Sequence, residues 1–106
     1  MSDLDRFLAD GFDNLDAFRA AESALAPYGF SDCTYRNDMS PCLWRNTIDG
    51  EGLTLFINWN DASKRESPDF PEFSAYDATN GESPSFDTLA GAVEWIKARV
   101  APCQTA

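Results

Sequence analysis

Apolar positions recur with two different periods along the chain, and the change of period marks out the fold. Leu4, Phe7 and Leu8 share one side of a short helical segment over residues 3–10, which Gly11 interrupts. Leu15, Phe18 and Leu25 then recur at helical spacing, and Pro27 and Gly29 end that second segment. Near the other end, Leu89, Ala92, Val93, Ile96 and Val100 make a third helical stripe. Between the helices the period is two. Residues 30–36 and 42–48 read as strands around a turn containing Asn37, Asp38 and Pro41. Residues 53–59 are the clearest strand, with Leu53, Leu55, Ile57 and Trp59 on one face. The Asp-Gly-Glu-Gly stretch at 49–52 closes a tight hairpin before it. Residues 60–71, rich in Ser, Pro and charge, form a long loop, and 72–78 make a fourth strand that runs into an Asn80-Gly81 turn. The tail after Val100 is expected to fray.

The pattern Phe-Asp-x-Leu occurs twice, at Phe12 to Leu15 and at Phe86 to Leu89. In each copy the Asp suits an N-cap, its carboxylate accepting from backbone N–H groups that have no partner within the helix. The residue five positions after each Phe is only Ala17 or Gly91, too small for a hydrophobic staple, so both rings should pack on the sheet. The repeat is helix-start chemistry. Helix, strands and helix then combine as a single α+β domain over residues 1–106: a two-layer sandwich in which a four-stranded antiparallel meander carries the N- and C-terminal helices on one face. Its other face is left to solvent or to a partner.

Composition narrows what such a domain can do. Eight basic residues stand against eighteen acidic ones, a formal net charge of −10. Such a surface repels nucleic-acid backbones and anionic lipid and attracts basic partners, although the charge also serves solubility. Histidine is absent, which removes Ser–His and Cys–His nucleophile activation. No phosphate-binding glycine loop is present, and no spacing singles out one carboxylate pair from eighteen. The expectation is a protein without enzymatic activity, cofactor or metal. For residues 77–82 (Asp-Ala-Thr-Asn-Gly-Glu) a plain hairpin turn outweighs a calcium loop. The start of the chain lacks the basic and apolar regions of a secretory signal, no apolar run reaches membrane-spanning length, and three cysteines without a CxxC spacing suit reduced thiols in a cytoplasm. A two-residue turn at Asn37-Asp38 would set Cys33 opposite Cys42, either as small buried thiols or as a pair that bonds on oxidation.

Three features suit a contact surface. Asp3, Asp5, Asp10, Asp13 and Asp16 crowd the first sixteen residues with Arg6 alone against them, either as a solvated helix face or as a surface for a basic groove. Phe56 points away from the core face of its strand, and the simplest hairpin register places Leu43 and Arg45 on the same outer side. Trp95 lies about 120° from the centre of the last helix's stripe, either covering a neighbouring helix or anchoring a partner. Glu22 falls inside the apolar arc of its helix, where it either reaches water at the rim or pairs with an arginine.

In size, acidity, layout and lack of catalytic residues, the chain resembles the small anti-CRISPR proteins of phages and mobile elements. It resembles in the same way the immunity proteins and antitoxins that plug basic nuclease toxins. The resemblance is one of type and transfers no individual residue. It implies an inhibitor acting in a bacterial cytoplasm on a protein with a basic surface, foremost a CRISPR effector. There clustered carboxylates can take the place of phosphates. An immunity protein or an adaptor is the alternative, and a small enzyme the third.

Overall fold

The structure, a computed structural model, describes residues 3–34, 40–46 and 52–100. Its helices are α1 (Leu4–Ala9), α2 (Leu15–Leu25) and α3 (Leu89–Lys97), and its strands β1 (Ser31–Asp32), β2 (Cys42–Asn46), β3 (Gly52–Ile57), β4 (Phe73–Asp77) and β5 (Ser85–Phe86). The strands form one open antiparallel sheet in chain order. The α+β class and the meander are as the periodicity indicates; the sheet, however, has five strands where four are expected. The fifth is two residues long. Phe86 pairs with Phe73 and Ser85 with Ser74, and the Ala75 N–H donates to the Pro84 carbonyl at 3.0 Å. Two residues after a proline carry no alternation to read. The expected turns at 37–38 and 49–51, and the tail 101–106, lie outside the described residues.

Both long helices cover the same face of the sheet. Phe18, Ala21 and Leu25 of α2 and Ala92, Val93 and Ile96 of α3 join Leu43, Leu53, Leu55, Ile57 and Phe73 of the sheet in one buried cluster. Leu4 and Phe7 of α1 complete it. Trp59, two residues beyond β3, remains in the core and meets Phe12 edge to face, with ring centres 5.3 Å apart. Such an aromatic pair adds about 0.5–1.5 kcal/mol beyond its buried area. Phe86 lies in β5 itself, against Trp95 at 5.8 Å.

The helix starts fall one residue later than the two Asp residues suggest. The Thr88 side chain caps α3 by accepting from the Gly91 N–H at 3.1 Å. Asn14 precedes α2 without a capping bond; its amide instead donates to the Asn58 carbonyl at 3.0 Å and the Glu72 carboxylate at 2.9 Å. Asp13, set back from the helix, accepts the backbone N–H groups of Asn60 at 2.7 Å and Asp61 at 2.9 Å. The carboxylate expected to cap a helix therefore holds a loop. That loop also contains a 3-10 turn at Ala62–Lys64. The guanidinium of Arg65 donates to three of its carbonyls, those of Trp59, Phe70 and Asn60, at 2.7, 2.7 and 3.1 Å.

Sheet register corrects the facing of β2. Asn46 pairs with Gly52, so Leu43 lies opposite Leu55 and Arg45 opposite Leu53. Directly paired residues share a face, so both belong to the core side, and Leu43 is fully buried. A tight turn within 49–52 would offset this pairing by an odd number of residues. An odd offset exchanges the two faces of a strand. Leu43 and Arg45 are therefore not on the outer surface.

Candidate functional site

The outer face of the sheet holds Trp44, Thr54 and Tyr76 in one row, with Cys42, Phe56 and Ser74 in the next. Trp44 and Tyr76 are the exposed large hydrophobic residues of the described chain, at 37% and 43% of their full surface. Neither is evident from sequence, because Cys42-Leu43-Trp44 places apolar residues on both sides of β2. One signal was available: Leu is more often wholly buried than Trp, whose polar ring nitrogen tolerates partial exposure. The Trp44 indole lies over Gly52, where a Cβ would collide with its ring nitrogen. Phe56, expected to face outward, does so and is half-buried. It lines a cavity of about 140 Å³ with Ser40, Phe70 and Ser74. Among the described residues, the buried Ser40 hydroxyl has no hydrogen-bond partner.

Trp95 is not displayed as an anchor. It is half-buried between Phe86 and the Arg99 guanidinium, which stacks 4.0 Å from its ring centre. Arg99 in turn pairs with Glu82 at 3.1 Å. Glu82 belongs to the turn after β4, where the Gly81 N–H donates to the Asp77 carbonyl at 2.7 Å and Gly81 adopts a φ of 78°. Residues 77–82 thus form the hairpin turn, in which the Asp77 carboxylate accepts the Thr79 N–H and the Asn80 amide bonds Glu82. Glu22 pairs with Arg19, three residues before it, at 2.9 Å.

The acidic residues gather at the corner between α1 and α2. Asp5 and Asp10 are exposed on and just beyond α1, and Asp16 is exposed in the first turn of α2, where the positive end of the helix favours it. No ion pair or hydrogen bond engages these three side chains among the described residues. Asp3 occupies the position before α1, and its backbone N–H donates to the Thr34 carbonyl at 2.8 Å. An open groove of about 430 Å³ at this corner is lined by Phe12, Asp13, Asn14, Leu15, Asp16 and Asn60. Although Asp13 already accepts two N–H groups, its carboxylate retains lone pairs for a further donor. The groove can therefore take a cationic side chain between Asp13 and Asp16. Among the described residues no three metal-ligating side chains cluster, and no helix is long and apolar enough to cross a membrane.

No protein-family model matches the chain, and no characterised protein or solved structure is detectably similar to it.

Proposed function

We propose that the protein is a non-enzymatic binding protein that inhibits a basic, nucleic-acid-binding partner. The favoured partner is a CRISPR effector, which makes the chain an anti-CRISPR protein acting in part by mimicking nucleic acid; a nuclease toxin is the alternative. The observation that supports this reading is the groove at the α1–α2 corner, with Asp13 and Asp16 in its wall and Asp5 and Asp10 exposed nearby. Carboxylates so placed meet Lys and Arg side chains that otherwise hold phosphate, and the net charge of −10 steers the encounter. Retention of a CRISPR effector in a pull-down from cells carrying such a system is the first test. The second is the triple variant Asp5→Asn, Asp10→Asn, Asp16→Asn. It should slow association more than it speeds dissociation, and binding should weaken as salt rises. Asp13 is kept intact because it holds the 60–61 loop. Unchanged association of the triple variant at low salt would refute mimicry.

A second reading is favoured by the exposure of Trp44 and Tyr76 on the uncovered sheet face. Contact there gives weak salt dependence and a large loss of affinity on Trp44→Ala or Tyr76→Ala, since buried aromatic anchors dominate interface energies.

A further inference from the structure

β1 ends beside a pair of thiols. The Asp32–Leu43 pairing brings Cys33 opposite Cys42, and the Cys33 N–H donates to the Cys42 carbonyl at 3.2 Å. Their sulfur atoms lie 3.3 Å apart. Residues directly opposite in an antiparallel pair have Cα atoms about 4.5–5.5 Å apart, inside the range that disulfides span. Only about 1 Å of approach separates the sulfurs from the roughly 2 Å of a disulfide. Thr34 holds the next position: its hydroxyl donates to the Asp32 carboxylate at 2.7 Å and accepts the Cys42 N–H at 3.2 Å. Cys42 is buried whereas Cys33 is partly exposed, so a reagent from solution meets Cys33 first.

We propose that Cys33 and Cys42 form a reversible oxidation site, closed into an intramolecular disulfide by exchange with a low-molecular-weight disulfide such as oxidised glutathione. The Cys33 thiolate attacks one sulfur of that reagent, whose S–S bond breaks and releases one thiolate. Cys42 then gives its proton to solvent, and its sulfur attacks the Cys33 sulfur of the mixed disulfide. The Cys33–Cys42 bond forms and the second reagent thiolate leaves. Two protein thiols are oxidised and one reagent disulfide is reduced to two thiols. The bond fastens β1 to β2 beside Thr34, whose carbonyl receives the first N–H bond of the α1 segment.

The test uses the full chain carrying Cys103→Ser, so that two thiols remain of the original three. After oxidised glutathione, alkylation should count no thiol and the intact mass should be lower by two hydrogens, with no glutathione retained. A retained adduct, or two persisting thiols, overturns the site. In the folded protein closure should run about tenfold faster than in denaturing urea, because the fold holds the sulfurs together. Equal rates would assign the bond to a flexible peptide and overturn the role of the fold. The natural sequence provides an independent check. Arg36 lies between the two cysteines, so trypsin should leave the peptides on either side of it joined until reduction. A crosslink through Cys103 instead would overturn the proposal.

Discussion

The carboxylate of Asp13 accepts the backbone N–H of Asn60 at 2.7 Å, across 47 residues of sequence. With the Asp61 bond beside it, one side chain fixes the start of the long loop to the start of α2. Asp13→Ala leaves two N–H groups to water and should cost about 1–2 kcal/mol in urea unfolding, as charge-assisted bonds at an exposed site do. Asp13→Asn, which retains one acceptor oxygen, should cost roughly half of that. Full stability of Asp13→Ala would mean the loop is held without it.

Leu43 decides the facing of β2. Fully buried and paired with Leu55, it should cost about 2–5 kcal/mol when changed to Ala. A loss of partner binding with unchanged thermal stability would restore it to the outer surface.

The side-chain hydroxyl of Ser63, and then its backbone N–H, hold the Asp61 carboxyl below its ordinary value of 3.8, with Lys64 and Arg65 contributing less. A carboxyl depressed in the folded state adds stability above its unfolded pKa and loses it as pH falls through the folded value. The Asp61 contribution is therefore present above about pH 4 and disappears on further acidification. In an NMR titration of side-chain carboxyls, Asp61 should have its midpoint below 3.8, and Ser63→Ala should raise it. A midpoint insensitive to Ser63→Ala would remove the hydroxyl as the cause.

Gly52 and Trp44 share the outer face, and any side chain at Gly52 must displace the indole. Gly52→Ala should increase acrylamide quenching of tryptophan emission, since Trp59 is buried and Trp95 is stacked by Arg99. Trp44→Phe should remove most of the quenchable signal in both backgrounds. Quenching that survives Trp44→Phe would place the accessible tryptophan elsewhere.

Residues whose surroundings are local are legible in the sequence. The stripes of α2 and α3 and the alternation of β3 stand out because one face of each is apolar and the other is not. β2 offers no such contrast, with Leu43 inside and Trp44 outside, so its facing depends on its register with β3. Asp13 follows the same rule: the sequence marks it as a cap, but its partners at Asn60 and Asp61 arrive through tertiary structure. Of the expected outer-face residues, Phe56 is there and Leu43 and Arg45 are on the core side; Trp95 of the last helix is stacked between Phe86 and Arg99.

Both margins of the sheet are two-residue strands, Ser31–Asp32 at one side and Ser85–Phe86 at the other. A partner that recognises its target by adding a strand needs a run of unpaired backbone donors and acceptors, and each of these edge strands is only two residues long. Proline at position 84 removes one donor immediately before the second margin. Among the described residues, both margins are therefore poor templates for β-augmentation and for end-to-end stacking of sheets into fibrils.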